Sequence, residues 1–195
     1  MVIRLLNLLG ENAIGGYYLA MNIFWSFLLV PVLALSESSK VLIANYSGDI
    51  YKVRRLWYTS LLIGVIILLI WLIMLPLWRS FAGLLNPNVE IVNLSFQAML
   101  LLIVPYMLFA LNTITDSIFY GTGKTKYQAY QTIITNGVVY GGAFLTYLTG
   151  LWLPTFGSIM ILFGVGIIVD SIMTVFYAFR VLFPHKHALA VEVLA

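Results

Sequence analysis

Long stretches without charge decide what this chain is able to become. Five apolar blocks run through its 195 residues, over about residues 13–35, 56–78, 94–120, 128–149 and 157–183. Each holds about 20 residues or more, the length an α-helix needs to cross roughly 30 Å of hydrocarbon. Charged residues make up only 9% of the chain, against about 25% in soluble domains, too few to cover a water-facing surface. The pattern predicts an all-α fold: a polytopic membrane helix bundle of five transmembrane helices in one membrane domain, with the lipid bilayer as its solvent. The first helix is expected to continue through residues 36–45.

The net charge of +3 belongs to loops and does not point to nucleic acid. Lys40, Lys52, Arg54, Arg55, Lys124, Lys126, Arg180 and Lys186 fall on one side of the expected topology, and only Arg4 and Arg79 on the other. Basic residues mark cytoplasmic loops, so the split predicts a multi-pass protein of the cell membrane with its N-terminus outside and its C-terminus cytoplasmic. Trp57, Trp78 and Trp152 fall near expected helix ends, as an interfacial aromatic belt requires. The first ten residues lack the apolar run and cleavage site of a secretory signal. An outside N-terminus without a signal is awkward to make, which leads to the expectation of a helix before Met1 and of a chain that is a fragment or a module of a larger protein.

Several chemistries are excluded. There is no cysteine, which removes disulfides, thiolate metal sites and thiol catalysis. His185 and His187 supply two ligands in a tail, too few for a metal site. Gly121-Thr-Gly-Lys-Thr125 resembles the end of a phosphate-binding loop, but Ile118 stands where that loop needs its first glycine, and a membrane helix precedes it. It reads as a tight turn between spans. No span contains a histidine base or a nucleophile elbow. The chain is expected to have no catalytic residues, no metal and no cofactor.

Polar residues inside the spans are the candidates for function. A charge near the bilayer centre costs at least about 2.5–3.5 kcal/mol and persists only if neutral, paired or facing water. Asp170 falls near the middle of the fifth block. Helical spacing puts Phe163, Gly166, Asp170, Thr174 and Tyr177 on its face. Asn112 and Asp116 share a face of the third block, and Asn136 and Tyr140 a face of the fourth. Asp116 is expected nearer the cytoplasmic end than Asp170. These residues are candidates for ion coupling or for lining a substrate cavity. Asn22 reads as a contact between helices, worth about 0.6 kcal/mol. Pro31 and Pro105 each remove a backbone donor within a helix and are hinge or kink candidates.

Four segments, in order, resemble the multidrug and toxic compound extrusion (MATE) transporters. Residues 30–49, from Val-Pro-Val-Leu through Ser-Glu-Ser-Ser to Ser-Gly-Asp, followed by Lys52, Arg54 and Arg55, are similar to that family's second-to-third helix connection. Leu9-Gly-Glu-Asn-Ala-Ile14 resembles the entry to the second helix. Leu85-Asn-Pro-Asn-Val89 resembles the external segment before the fourth, and Gly121-Thr-Gly-Lys-Thr-Lys126 the turn between the fourth and fifth. The resemblance implies helices two to six of a six-helix lobe, again without the first. The sparse Leu151-Trp-Leu-Pro-Thr-Phe-Gly157 connection favours the C-terminal lobe. Asp116 falls in a helix where some members place a functional acid, but at another depth, so that role is not carried over.

The resemblance implies a secondary-active antiporter for multidrug or xenobiotic efflux. It would export small organic, often cationic, compounds in exchange for protons or sodium. A second lobe would be its partner: the same gene product, a copy, or another chain. Two alternatives stand beside it. One is a lipid or lipid-linked oligosaccharide flippase of the same superfamily, which should carry basic residues in its cavity; no Lys or Arg falls in the interior of an expected span, Arg180 standing near the end of the fifth. The other is a non-transporting membrane subunit.

Overall fold

A computed structural model describes residues 2–183, so His185, Lys186 and His187 lie outside the described residues. The described chain is helical throughout: α1 (Val2–Asn7), α2 (Glu11–Ile23), α3 (Val30–Asn45), α4 (Ile50–Met74), α5 (Trp78–Leu85), α6 (Val89–Gly121), α7 (Lys126–Ile134), α8 (Gly141–Leu148) and α9 (Phe156–Leu182). Short π-helical segments, Phe24–Leu28 and Thr135–Tyr140, link α2 to α3 and α7 to α8.

Local chemistry sets the helix ends. Asn88 starts α6, its side-chain oxygen accepting from the N–H groups of Glu90 and Ile91. Thr155 and Ser158 form a reciprocal capping box at the start of α9. Gly123, at φ 72°, ends α6 by letting Lys124 N–H return to the Phe119 carbonyl at 2.8 Å. The Gly121–Thr125 stretch is thus a tight turn, as expected.

Asp49 caps α4. Its carboxylate accepts from Tyr51 N–H and Lys52 N–H, both at 3.2 Å, and the Lys52 ammonium stands 3.4 Å away. The bond from the Lys52 backbone, with the Lys52 charge, holds this carboxyl below the usual carboxylate range. A lowered native value stabilises the fold at neutral pH, and the contribution is lost as pH falls from the ordinary carboxylate range through the lowered value. Asp49→Ala should therefore lower the thermal midpoint at pH 7 and flatten its acid dependence. Asp49→Asn should keep the cap but not the pH dependence. Melting curves from pH 3 to 7 check both.

Helix α6 is the hub, packed against α2, α3, α4, α5 and α9. Phe24 stacks on Tyr106 with ring centroids 4.1 Å apart, and Trp78 closes the other side of Phe24. At the far end of α6, Ile43, Trp57, Ile118 and Phe119 form a second apolar cluster with the last turn of α9. Arg54 of α4 donates from Nε to the Leu182 carbonyl at 2.6 Å, placing a cation on the C-terminal end of α9. Lys40 lies over the Tyr120 ring, and Gly121 fits against Ile43. The expected basic loops therefore gather at one end of the bundle. Asn12 and Glu90, bonded at 2.6 Å, mark the opposite end.

Several expectations need correction. Three helical stretches, Ile50–Leu85, Val89–Gly121 and Phe156–Leu182, are long and apolar enough to cross a membrane. A fourth span is counted if Glu11–Leu28 and Val30–Asn45, bent by 50°, are one. The expected fourth block is helical from 126 to 148 but does not join them, because Gln128, Gln131, Thr132, Thr135 and Asn136 dilute its apolar surface. Pro31 does stand at the bend, in the first turn of α3. Pro105 lies buried in an unbroken α6, against Gly164. Trp57 and Trp78 are buried, not placed in an interfacial belt; their indole N–H groups bond to Thr115 and Ser95, each at 3.2 Å. Asn22 is exposed and lines a surface cavity with Tyr18 and Asn86, so it is not the interhelical contact expected.

Candidate functional site

The polar residues of α6 and α9 meet as a ladder. Asn112 Nδ2 donates to Asp170 Oδ2 at 2.9 Å, and Thr174 Oγ1 donates to Asp116 Oδ1 at 3.2 Å. Both rungs join residues 58 apart in sequence. A constant offset means that the two helices run parallel and in register, which the returning α7–α8 segment allows. The rungs are four residues apart on each helix, one turn, so the two carboxyl groups stand about 6 Å apart along the axes. Asp116 is thus nearer the basic end than Asp170, by a single turn.

Helix α7 closes this seam, packing against α9 and α6. Gln128, Gln131 and Thr135 fall at i, i+3 and i+7, one face of a helix. Gln128 lies beside Asp116, and Gln131 and Thr135 are buried. Among the described residues, four buried side-chain polar atoms have no hydrogen-bond partner: Asn112 Oδ1, Gln128 Nε2, Gln131 Nε2 and Thr135 Oγ1. All four belong to this seam. Each such atom ordinarily costs about 1–3 kcal/mol, so a cluster of them marks a place with unspent capacity for polar ligands. The sequence reading missed Gln128, Gln131 and Thr135 because the block was read as uniformly apolar; their helical spacing was the available signal.

Asn136 and Tyr140 stand beyond the seam, away from the basic end. Both lie in the π-helical segment, an irregularity frequent at functional sites. The Tyr140 ring rests on Gly166, one turn from Asp170, where any Cβ would overlap its hydroxyl. Asn136 is exposed and donates to its own helix at the Thr132 carbonyl. Together they line a cavity of about 740 Å³ with Arg4, Phe144 and Tyr147. An adjoining space of about 330 Å³ shares them and adds Tyr17 and Phe163. Tyr177 stands apart, stacked on Tyr127 with centroids 4.7 Å apart. Seven candidates therefore divide into a ladder (Asn112, Asp116, Asp170, Thr174), a cavity wall (Asn136, Tyr140) and one packing contact (Tyr177).

The family model MatE matches residues 1–148. This chain belongs to the MatE family. MatE proteins are membrane transporters, so the bundle is that of a MATE-type transporter rather than of an unrelated membrane fold. The matched segment contains Asn112, Asp116, Asn136 and Tyr140; α9, with Asp170 and Thr174, follows it. No curated protein and no solved structure matches the chain.

Proposed function

We propose that this MatE chain is a lobe of a secondary-active exporter that moves organic compounds in exchange for protons or sodium ions. The observation that carries the reading is the α6–α7–α9 seam. It holds two carboxyl groups one turn apart, with the four unpartnered buried side-chain polar atoms of the described residues gathered around them. Carboxylate and amide oxygens are the ligands a proton or a hard cation needs. The adjoining cavity, walled by Asn136 and Tyr140, offers the space for an organic substrate. A second lobe, whether a copy, another chain or more of the same one, would complete the two-sided cavity that alternating access uses.

The basic end is proposed to face the cytoplasm. Cysteine labelling checks the orientation: Ser47→Cys at that end should resist membrane-impermeant reagents in intact cells, while Asn88→Cys should react. Efflux by the reconstituted protein tests the transport reading. Release of an organic dye from liposomes should accelerate under an inward proton or sodium gradient, and transport indifferent to both gradients would overturn it.

A further inference from the structure

Arg4 is the residue whose placement the transport reading does not use. On sequence grounds it was the lone basic residue of a short leading segment. The structure instead sets it in α1, which packs on α2 and α9, on the wall of the cavity of about 740 Å³ whose other side is formed by the π-helical segment and α8. Its neighbours there are Asn136, Tyr140, Phe144 and Tyr147, which lie along one face of a helix well inside the fourth block. No acidic side chain lines either this cavity or the adjoining one. The ion pairs among the described residues, Lys40–Glu37 and Lys52–Asp49, both lie at the other end of α3 and the start of α4.

A guanidinium stays charged at any physiological pH, and its donors form a fork that matches a carboxylate or phosphate. Arg4 is exposed and α1 lies outside the candidate spans, so its charge is free to meet a ligand, and an arginine that lines a cavity without an acidic partner is a candidate binding group. Asp170 does not neutralise it: its carboxyl is committed to Asn112, and it lines neither cavity. The hydroxyls of Tyr140 and Tyr147 make no hydrogen bond among the described residues, so they remain as further donors. The rings of Tyr140, Phe144, Tyr147 and, next door, Phe163 supply an apolar body-binding surface.

We propose that this cavity binds an amphiphilic anion, a carboxylate or phosphate group held by Arg4 with its aromatic or alkyl body against the tyrosine and phenylalanine rings. This rests on the transport reading only for the statement that such an anion is the cargo; binding itself needs no gradient. It departs from the cationic substrates that the family resemblance implied.

The test is equilibrium binding of 2-naphthoate and of naphthyl-trimethylammonium to the full chain in phosphatidylcholine nanodiscs. The anion should bind and the cation should not. Arg4→Gln should weaken naphthoate by at least about tenfold, the loss expected for a charge-assisted pair, with Arg4→Lys in between. Added phosphatidylglycerol separates the sources: displacement of naphthoate identifies an anionic lipid headgroup as the occupant, and its persistence identifies a soluble anion. Equal or tighter binding of the cation to the unmodified chain would overturn the proposal without recourse to any variant. So would unchanged naphthoate affinity in folded Arg4→Gln. Transport indifferent to both gradients alongside selective anion binding would remove the exporter reading and leave the site.

Discussion

Asp170→Asn is expected to abolish ion-driven efflux while leaving the bundle folded. Asparagine has the same size, and its amide oxygen accepts the Asn112 Nδ2 hydrogen bond that Asp170 Oδ2 now accepts at 2.9 Å. What it lacks is the ability to gain and lose a proton or to offer a full negative charge to a cation. Asp170→Leu separates this role from packing. Leucine leaves Asn112, whose Oδ1 is already unpartnered, without a partner on either end of its amide. A loss of about 1–3 kcal/mol in stability should follow. The checks are gradient-driven efflux from liposomes and thermal unfolding of the purified variants. Wild-type coupled transport by Asp170→Asn at equal protein levels would take Asp170 out of the mechanism. Asp116→Asn is the informative companion, because it keeps the Thr174 bond of the second rung and removes only that charge.

The stripe on which Asp170 sits was readable from period alone, since Phe163, Gly166, Asp170 and Thr174 must share a helix face whatever surrounds them. What each meets was not readable. Gly166 receives the Tyr140 ring, Asp170 the Asn112 amide and Thr174 the Asp116 carboxyl. Those pairings depend on the axial offset between α6 and α9, which neither helix encodes by itself. The offset is set by contacts such as Pro105 against Gly164, where side-chain shape decides how far one helix slides along the other. Hydropathy likewise reports how apolar a block is on average. It therefore concealed the Gln128, Gln131 and Thr135 face, whose exposed neighbours Ile133, Ile134 and Val138 balance it. Arg4 was read as a loop residue because α1 is too short to register as a span. Only the packing of α1 on α2 and α9 brings its side chain to the cavity. The transporter family, by contrast, was legible in local segments, because turns and caps such as Gly123 are decided within a few residues.

Gly16→Leu should prevent the bundle from assembling, the largest stability effect expected of any single substitution here. α2 crosses α6 at Gly16, and a Cβ there would overlap the Cβ of Leu94, with the Leu94 carbonyl carbon and the Ser95 nitrogen each 3.3 Å away. The obstruction includes main chain, so no rotamer change relieves it and the helices must separate. Small residues permit such close approach in membranes, where packing and hydrogen bonding replace the hydrophobic effect between helices. Separation at this point would also loosen the Phe24–Tyr106 stack about two to three turns further along the same interface. Gly16→Ala should cost about 1–3 kcal/mol, the usual range for overpacking a close contact. Gly142→Ala is the control: no atom lies within 4 Å of its would-be Cβ, so the change should be neutral or slightly stabilising through helix propensity. Thermal unfolding and size-exclusion profiles in detergent read all three. An unaltered midpoint for Gly16→Leu would show that α2 and α6 do not meet as described, and would withdraw the helix packing on which the cavity wall depends.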